Sequence, residues 1–552
     1  MSEQITVGDL VVAFLEACGV ETAFGVISIH NLPITDALAR RNRIRFVPAR
    51  NEAGAVNMAD AGARLTGRIG AALTSTGAGC GNACGSLLEC QSAGTPLLHI
   101  TGNVETRFLD RVTGYTHEAP SQFTLLQGAS KAAFRVHTPE TALGVLREAV
   151  RLAQTPPMGA VSVEIPIDVQ RMLVDPPASL APLAPAVIAP DPAAVEAVAG
   201  LLLAASRPML WLGGGARDAV AACDRLLRAG VGVVSSVQGR GVAPDDHPRS
   251  LGAFGSQKPT LDFYKTCDFM LVAGSRLRSA QTRDYRAPLP RPLVIVDADP
   301  LAENRNYQSD QFVCADANAF LSALADRVEG RLSIDPAFLA DLQRARADSE
   351  AELRATLGPY EKLADAVIAG APPDFNWVRD ITMNNSTWGN RLPPLRAPRR
   401  GVYAVGGGIG MGLAQAIGSA IAATDRKTVA LIGDGGLSLA MGEIATAVQE
   451  RADVTILLMN DGGYGIMRNL QDAQFGGRRF AADLVMPDFR LLAQSFGIPF
   501  RRVTDADGFA SAFDAMLAVD GPSMVECDMA SIGDFAQRFH GPPTVHSRSP
   551  DA

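Results

Sequence analysis

Apolar residues in this chain gather in short uninterrupted runs that alternate with longer segments of mixed polarity. Two of these runs lie in the last third of the chain, at residues 429–432 and 454–459. Uninterrupted runs of this length are typical of strands that are buried on both faces, as in parallel sheets. Similar runs, separated by helix-length segments, lie at residues 208–212, 231–234, 269–272 and 293–296. The pattern predicts an α/β fold with mainly parallel sheets.

Length and two linker-like stretches indicate three domains. The 552 residues exceed the size at which a single hydrophobic core keeps growing. A Pro/Ala-rich stretch covers residues 176–194, and turn-forming residues cluster at 370–373. We therefore expect an N-terminal domain over residues 1–175, a central domain over residues 190–340 and a C-terminal domain over residues 360–552.

Composition and charge exclude several classes of function. The hydrophobic fraction of 47% supports large cores, and a formal net charge of −8 argues against nonspecific binding of nucleic acid. No apolar run reaches about 18 residues, so we expect no membrane-spanning helix and no membrane partner. Near the N-terminus, Thr6 and Asp9 predict the capped start of a helix rather than a signal peptide, which favours a cytoplasmic protein. The eight cysteines include no Cys-x-x-Cys pair, and we expect free buried thiols.

Both strands predicted in the last third of the chain end in glycine-rich turns that carry an aspartate. Asp434 stands between two glycines after the first strand, and Asp461 follows the second. In open α/β sheets such strand ends bind ligands. Asp434 offers a hard oxygen ligand to magnesium, Asp461 a second, and the backbone carbonyl of Gly463 a third. The glycines beside Asp434 let amides at the start of the next helix, expected at about residues 437–450, approach an anion.

The paired turns resemble the signature of thiamine diphosphate-dependent enzymes. In that family an Asp, and usually an Asn 27 residues later, bind magnesium together with the carbonyl of the residue two positions further on. The spacing here is the same, but the second ligand position is Asp461, whose carboxylate adds negative charge to the site. The resemblance implies three consecutive Rossmann-like domains: pyrimidine-binding, central and diphosphate-binding. It also implies cofactor contacts from Gly407, Gly408, Ile409, Gly433, Gly435, Gly436, Tyr464, Gly465 and Ile466.

A second part of the resemblance lies near the N-terminus. Residues 50–64 look like the family segment that carries a catalytic glutamate, and Glu52 is the candidate in this chain. In the family this glutamate hydrogen-bonds the aminopyrimidine ring of the cofactor and so promotes loss of the proton from its C2 atom. The mostly apolar neighbourhood of Glu52 suits a carboxyl group that exchanges protons near neutral pH. Without the second motif, a surface glutamate at a helix end would be the better interpretation.

The remaining motifs extend the resemblance over nearly the whole chain. Residues 74–82 and 91–98 resemble a family loop and the helix end and strand that follow it, and residues 405–418 resemble the segment before the metal motif. Within that segment, Ile409 falls where relatives place a large aliphatic side chain beneath the cofactor. Simple core packing is the alternative interpretation of Ile409.

The substrate end of the site departs from the best-known relatives. Ile29 stands where pyruvate decarboxylases have an Asp and benzoylformate decarboxylases a Ser, so neither acid–base set is reproduced. His30 and His117 remain as proton-transfer candidates, since imidazole titrates near neutral pH; a structural role is the alternative for each. A carboxylate or a CoA phosphate could be bound by Arg468, Arg478 and Arg479, although exposed arginines are the ordinary expectation. Further candidate substrate contacts are Ser75, Thr76, Met467 and Leu470.

The resemblance implies a thiamine diphosphate- and Mg²⁺-dependent lyase or carboligase of the acetolactate synthase-like or 2-oxo acid decarboxylase group. Its substrate would be a 2-oxo acid or an acyloin, whose cleaved fragment is either protonated or joined to a second carbonyl. In the family the cofactor lies between two subunits. Glu52 and Asp434 of one site should therefore come from different chains of a homodimer or homotetramer.

Other functions are weighed against this one. A CoA-thioester or diketone C–C lyase of the same fold is one alternative, but a CoA enzyme would need a basic C-terminal tail, and this tail has few basic residues: Arg538, His540, His546 and Arg548. A catalytically silent homologue is less consistent with the retained Glu52 and Asp434. A flavin or nicotinamide oxidoreductase would explain the glycines at 213–215 but not the paired metal motif. FAD or ADP in the central domain is compatible with the family but not expected, because a full Gly-x-Gly-x-x-Gly fingerprint is absent.

Overall fold

Three parallel β-sheets, one after another along the chain, form the framework of the computed structural model, which describes residues 4–538. Helices join successive strands and cover the sheets, as parallel connections require. The α/β class and the three mainly parallel sheets are as the sequence predicted. Of the C-terminal tail, His540, His546 and Arg548 lie outside the described residues.

The N-terminal sheet has six strands and is accompanied by two short strands that pair with each other. The strands are β1 (Ile5–Thr6), β2 (Thr22–Gly25), β3 (Arg45–Pro48), β4 (Gly70–Thr74), β5 (Leu97–Asn103), β6 (Ala132–Arg135), β7 (Ala160–Pro166) and β8 (Leu173–Val174). The helices are α1 (Val7–Ala17), α2 (Leu32–Arg41), α3 (Glu52–Thr66), α4 (Ala78–Ala93), α5 (Gln122–Ala129), α6 (Ala142–Gln154) and α7 (Ile167–Arg171). The sheet order is β3-β2-β4-β5-β7-β6, and β1 pairs antiparallel with β8. Helix α1 begins as predicted, because the side chain of Thr6 accepts a hydrogen bond from the amide of Asp9.

The central sheet has five parallel strands in the order β10-β9-β11-β12-β13. They are β9 (Pro208–Leu212), β10 (Gly232–Ser235), β11 (Phe269–Ala273), β12 (Leu293–Asp297) and β13 (Gln311–Cys314). The helices of this part are α8 (Pro192–Ala204), α9 (Val220–Ala229), α10 (Lys258–Tyr264), α11 (Ala317–Val328) and α12 (Phe338–Arg354). The four predicted runs form β9 to β12. The fifth strand, β13, was not predicted, because this edge strand is only partly buried and has no continuous apolar run.

The C-terminal sheet has six parallel strands in the order β15-β14-β16-β17-β19-β18. The strands are β14 (Asn376–Arg379), β15 (Gly401–Tyr403), β16 (Thr428–Gly433), β17 (Val454–Asn460), β18 (Phe500–Val503) and β19 (Ser523–Asp528). The helices are α13 (Tyr360–Gly370), α14 (Gly412–Ala422), α15 (Asp434–Ala440), α16 (Glu443–Gln449), α17 (Gly465–Gln474), α18 (Phe489–Ser495), α19 (Phe509–Leu517) and α20 (Met529–Ile532), with a π-helical turn at Asn385–Gly389. Single 3₁₀ turns in the chain lie at Ile29–Asn31, Thr106–Phe108, Pro139–Thr141, Gly214–Ala216, Ser279–Gln281 and Pro300–Ala302.

The helix expected at residues 437–450 is wrong in its bounds. Two short helices, α15 and α16, take its place, and the first begins at Asp434 directly after the strand. Gly433 has extended backbone angles and ends the strand, so the helix starts one residue later. The break falls at Gly442, a residue type that weakens helices because its backbone loses more freedom on ordering.

The N-terminal and C-terminal sheets share one hydrophobic core. Met58 of α3, Ile417 of α14 and Ile456 of β17 all belong to a single buried cluster. The two helices pack so closely that a Cβ atom on Gly418 would lie 2.5 Å from the Cα atom of Met58. The helix that begins with Glu52 is therefore fixed directly against the domain that carries Asp434.

Residues 4–538 bear on two expectations, which concern membrane-spanning helices and cysteines. Within that range, none of the helices is both long enough and apolar enough to cross a bilayer. All eight cysteines are free thiols, as expected, but only half of them are buried: Cys80, Cys90, Cys223 and Cys527.

Candidate functional site

The two aspartate turns meet at the carboxyl ends of neighbouring strands. Strands β16 and β17 pair in parallel, with Gly433 opposite Met459. Asp434 follows β16 and is almost fully buried. One of its carboxylate oxygens accepts the amide of Gly463 at 2.8 Å, and the other accepts the amide of Asp461 at 3.4 Å. The turns that the sequence predicted to converge are thus joined through Asp434.

Asp461 brings a second carboxylate to this position. Burial and, to a smaller extent, the negative charge of Asp434 together raise the pKa of Asp461 to about 7, although Arg468 and the amide of Gly465 oppose the change. Burial also raises the pKa of Asp434. Both shifts have burial as their largest cause, since a buried carboxylate loses the solvation that favours its charged form.

Arg468 is bound to its own chain. Its Nη2 atom lies 2.8 Å from Oδ1 of Asp461, and its Nη1 atom lies 2.8 Å from Oδ1 of Asp483. Two carboxylates of this chain engage the guanidinium group, and the expectation that Arg468 binds a substrate carboxylate or a CoA phosphate stays a prediction.

The glycines beside Asp434 allow very close backbone packing. A Cβ atom on Gly435 would lie 2.8 Å from the carbonyl oxygen of Gly463 and 2.8 Å from the ring of Tyr464. A Cβ atom on Gly436 would lie 2.8 Å from the carboxylate of Asp380, which was not predicted as part of the site. The two glycines thus let the start of α15 pack directly against the turn at Gly463 and against Asp380, where a larger side chain would not fit.

The residues at this turn fit a hard cation together with an anionic group. No cluster of three or more His, Cys, Asp or Glu side chains suited to a metal occurs within residues 4–538, so a zinc-type site is not formed there. Two carboxylates and a carbonyl do suit magnesium, which keeps water and phosphate oxygens as its other ligands. Mutual repulsion between Asp434 and Asp461 would be relieved by such a cation, and the amides at the start of α15 would face a diphosphate.

Glu52 is held at the start of α3. The residue is 7% exposed, so it is not the surface glutamate that the motif alone would suggest. Its Oε2 atom accepts a hydrogen bond of 3.1 Å from the side chain of Asn82, and a Cβ atom on Gly79 would overlap its Oε1 atom. Asn51 caps the helix by accepting the amide of Ala53 at 2.8 Å. The carboxylate therefore has one defined position beside the 74–82 loop.

Glu443 links the helix of Glu52 to the metal-motif domain. Its Oε1 atom accepts the amides of Arg50 and Asn51 at 3.1 Å each, and its Oε2 atom accepts the hydroxyl of Thr446 at 2.6 Å. Glu443 is the first residue of α16, three residues after the end of α15. The start of α3 and the region after Asp434 are therefore joined by a buried carboxylate.

The two candidate histidines lie side by side. The ring centroids of His30 and His117 are 5.3 Å apart, with the rings nearly perpendicular. His30 is buried, and its Nδ1 atom has no hydrogen-bond partner among the described residues. Burial lowers the pKa of His30, the charge of His117 lowers it further, and Glu105 opposes the change. His117 is exposed and has a left-handed backbone, with φ of 66°.

The other predicted contacts divide into open and enclosed side chains. Ile29, Ile409 and Met467 are exposed, whereas Ile466 and Leu470 are half-buried on α17. The exposed loop with Gly407 and Gly408 is held at its N-terminal end, where Glu89 accepts the amides of Val405 and Gly406 at 2.7 Å. Ser75 uses its carbonyl to accept the hydroxyl of Thr101 at 2.8 Å. Thr76 is buried, and its hydroxyl donates to Gln122 at 2.6 Å.

The glycines at 213–215 of the central domain pack against the backbone of Gly274. A Cβ atom on Gly215 would lie 2.9 Å from the Cα atom of Gly274, so the glycines at 213–215 serve a close backbone contact. Their presence is thus explained without a bound phosphate.

Four residues that support the site were not predicted from the sequence: Asn82, Glu89, Asp380 and Glu443. Each binds backbone or side-chain groups that are distant along the chain; Glu443, for example, binds the amide of Arg50 across 393 positions. Asn82 lay inside a motif that was noticed, but nothing in the sequence indicated its partner.

Comparison with known proteins gives matches along most of the chain. Three family models match, with the descriptions "Thiamine pyrophosphate enzyme, N-terminal TPP binding domain" at residues 5–125, "central domain" at residues 195–324 and "C-terminal TPP binding domain" at residues 382–527. A probable 2-ketoarginine decarboxylase (AruI) of Pseudomonas aeruginosa is 30% identical, with 95% of this chain and 94% of that protein covered. The acetolactate synthase isozyme 1 large subunit of Escherichia coli K12 is 28% identical, with the same coverage of 95% and 94%. The chloroplastic acetolactate synthase 1 of Nicotiana tabacum is 27% identical over 94% of this chain and 81% of its own length.

Proposed function

The chain belongs to the thiamine pyrophosphate enzyme family, and we propose that it is a thiamine diphosphate- and Mg²⁺-dependent lyase or carboligase that acts on a 2-oxo acid. Thiamine diphosphate is another name for thiamine pyrophosphate. The observation that carries the proposal is the junction of the two aspartate turns, where Asp434 binds the amides of Asp461 and Gly463 at the ends of adjacent strands. That junction combines carboxylates for a cation with the amides of a helix start for a diphosphate.

The cation and the diphosphate would be held by the C-terminal domain. Asp434, Asp461 and the carbonyl oxygen of Gly463 would ligate Mg²⁺, and the amides at Gly435 and Gly436 would bind the diphosphate. The positive end of α15 points at the same place and favours an anion there. Gly433, Tyr464, Gly465 and Ile466 would border the bound group in the same turns.

When bound, thiamine diphosphate supplies the carbanion chemistry that breaks a C–C bond beside a carbonyl. Glu52 would accept and return a proton at the pyrimidine end, since its carboxylate is shielded from solvent and held by Asn82. Ile409, on the loop with Gly407 and Gly408, would support the middle of the cofactor.

Proton transfer at the substrate is assigned to the paired histidines. His30 has a lowered pKa because it is buried, so its imidazole is mainly neutral at pH 7 and can accept a proton. Its Nδ1 atom has no competing partner among the described residues. His117 lies beside it at the surface, where it can exchange that proton with water. Ile29, Ser75, Thr76, Met467 and Leu470 would form the walls around the substrate.

Both outcomes of the cleavage belong to the proposal. The family relatives include a protein named as a decarboxylase and others named as acetolactate synthases, which differ in whether a proton or a second carbonyl meets the cleaved fragment. 2-Ketoarginine is therefore the first substrate to try. An acyloin or diketone would be cleaved by the same residues.

We also propose that the protein is a homodimer or a homotetramer. The loop at Gly407 and Ile409 is exposed in a single chain, and so are large apolar side chains of the neighbouring segment after α17. Phe480 is 83% exposed there, and Val485 is also fully open. Large apolar side chains that cluster at a surface are typical of protein interfaces. A second chain on this face would close the site from the other side.

Carbon dioxide release from a panel of 2-oxo acids tests the proposed function. With thiamine diphosphate and Mg²⁺ present, we expect release from at least one acid and a loss of about a hundredfold or more in Glu52→Gln, because general acid–base groups contribute rates of that order. Glu21→Gln is the control, since Glu21 is an exposed glutamate of the same domain that pairs with Arg68.

Product analysis in the same assay separates decarboxylation from carboligation. His30→Asn and His117→Asn should shift the ratio of aldehyde to joined product, and unchanged turnover would remove that histidine from the mechanism. No release from any acid, or release that is equal in Glu52→Gln and the wild type, would contradict the proposal.

A further inference from the structure

Arg468 binds the turn that carries the second metal-ligand position. Its Nη2 atom lies 2.8 Å from Oδ1 of Asp461 and 2.5 Å from the carbonyl oxygen of the same residue. Its Nη1 atom donates to the carbonyl of Gly462 at 3.3 Å and to Asp483 at 2.8 Å. The guanidinium group therefore holds the first two residues of the turn between β17 and α17, Asp461 and Gly462.

Only one of the two ion pairs of Arg468 is shielded from water. The side chains of Arg468 and Asp461 are 13% and 17% exposed, whereas that of Asp483 is 76% exposed. Charges in such partly buried positions interact more strongly than charges at the surface, because water and salt screen them less. The Arg468–Asp461 pair is thus the one that sets the charge at the turn.

The pair leaves Asp461 able to bind a cation. A carboxylate has two oxygens with several lone pairs, and the side-chain contact of Arg468 occupies one of those oxygens. The carboxylate also remains beside Asp434, whose charge acts on it. A divalent cation between Asp434 and Asp461 is therefore compatible with the ion pair.

The type of side chain at position 461 changes the charge that a diphosphate meets. With an amide there, a divalent cation bound by Asp434 would keep one positive charge. A second carboxylate cancels that charge, and the diphosphate would then meet a neutral cluster. Arg468 returns one positive charge to the same turn, next to the anion that has to bind.

We propose that Arg468 is the fixed counter-charge that allows a carboxylate to stand at the second ligand position without loss of diphosphate affinity. Arg468 is a positioning residue that balances charge. The pair Asp461–Arg468 has no net charge, as a neutral ligand at position 461 would have none. The proposal rests on the proposed function and adds to it a determinant of cofactor affinity.

Charge-matched variants test the pairing through equilibrium binding. Thiamine diphosphate is titrated calorimetrically into the full chain, prepared free of cofactor, at saturating Mg²⁺. Arg468→Met should bind on the order of tenfold more weakly, because it leaves one uncompensated carboxylate near the diphosphate. Adding Asp461→Asn to that variant returns the wild-type net charge and should restore the affinity to within about threefold. Asp461→Asn alone should bind thiamine diphosphate at least as tightly as the wild type.

Two further variants control for damage to the fold. Arg225→Met removes an arginine that also bridges two carboxylates, Asp326 and Glu329, but lies in the central domain, so binding should not change. Arg468→Lys keeps the charge and should retain most of the affinity.

The outcomes that would overturn the inference are distinct from failure of the proposed function. Wild-type affinity in Arg468→Met would show that the charge is not needed. A double variant as weak as Arg468→Met would show that Arg468 acts through the shape of the turn. If the wild type binds no thiamine diphosphate in the presence of Mg²⁺, the proposed function itself fails.

Discussion

Asp380 shows, at the scale of a single residue, how burial competes with hydrogen bonding. The side chain is fully buried, and its Oδ2 atom accepts the amides of Gly410 and Gly412 at 3.0 and 3.2 Å. Burial raises the pKa of Asp380 to about 6, and the backbone amides oppose the change without overcoming it. The carboxyl group that joins the loop at Gly410 to the start of α14 is therefore partly protonated in mildly acidic solution.

We predict that Asp380 makes stability depend on pH between about 4 and 7. Because the folded-state pKa lies above that of an unfolded aspartate, the proton stabilises the fold. That contribution is complete below about pH 4 and is lost as the pH rises through 6. At about 1.4 kcal/mol per pH unit, the loss is roughly 3 kcal/mol by pH 7. Asp380→Asn cannot ionise, so the melting temperature of the wild type should fall relative to that of the variant as the pH rises.

The comparison is made on protein without added cofactor, by thermal unfolding at closely spaced pH values. Asp520→Asn, at a highly exposed position, serves as the control and should follow the wild type. If the melting temperatures of the wild type and of Asp380→Asn change with pH in the same way, the prediction is wrong.

At the scale of elements, the crossing of α3 and α14 is the tightest contact between the two domains that carry the site. A Cβ atom on Gly418 would lie 2.5 Å from the Cα atom of Met58, and the nearby atoms are backbone, which cannot turn aside. We predict that Gly418→Ala destabilises the protein by about 1–3 kcal/mol, as overpacking of a filled core does. The same change should weaken cofactor binding, because it pushes the helix of Glu52 away from the domain of Asp434.

Gly200→Ala is the matched control for this prediction. Gly200 also lies inside a helix, α8, but a Cβ atom there meets no atom within 4 Å. Alanine should therefore stabilise α8 by about 0.5–1 kcal/mol through its higher helix propensity. Denaturant unfolding of both variants measures the two effects. Equal stability of Gly418→Ala and the wild type would mean that the helices do not meet as closely as described.

The elements that the sequence predicted well are those whose burial is complete. Strands β9, β16 and β17 are covered on both faces, so their apolar runs are continuous and reveal the bounds to within a residue or two. The edge strand β13 is only half-buried and was missed. The helix after Asp434 was placed too late, since neither the early start nor the break at Gly442 changes the apolar pattern.

The site was predictable where it depends on neighbouring strands. The end of one parallel strand lies beside the end of the next, so Asp434 and Asp461 could be expected to meet. Asp380, Glu443 and Asn82 could not be expected, because their partners lie far away in sequence and an ordinary polar residue carries no signal of its contact. The role of Arg468 was likewise hidden, since helix α17 first has to bring its guanidinium group back to the turn.

At the scale of the whole molecule, the positions of Glu52 and Asp434 bear on how many chains form one site. Within one chain, the carboxylate of Glu52 binds Asn82, whereas that of Asp434 binds the turn at Asp461 and Gly463. The two domains share a core through α3 and α14, but the loop at Ile409 and the side chain of Phe480 remain exposed. An open cofactor face on each chain is consistent with sites that are completed by a second copy.

We predict that mixing two inactive variants restores activity. Glu52→Gln and Asp434→Asn should each be inactive alone, since each removes one side of every site. If a site takes Glu52 from one chain and Asp434 from another, a mixed dimer has one site with both changes and one site with neither. The isolated mixed dimer should then have up to about half of the wild-type activity. The two variants carry different affinity tags and are produced in one cell. The doubly tagged species is isolated and assayed for carbon dioxide release.

Activity in that species would assign each site to two chains. A doubly tagged species that assembles but stays inactive would instead place Glu52 and Asp434 of one site on the same chain, and would remove the need for a partner.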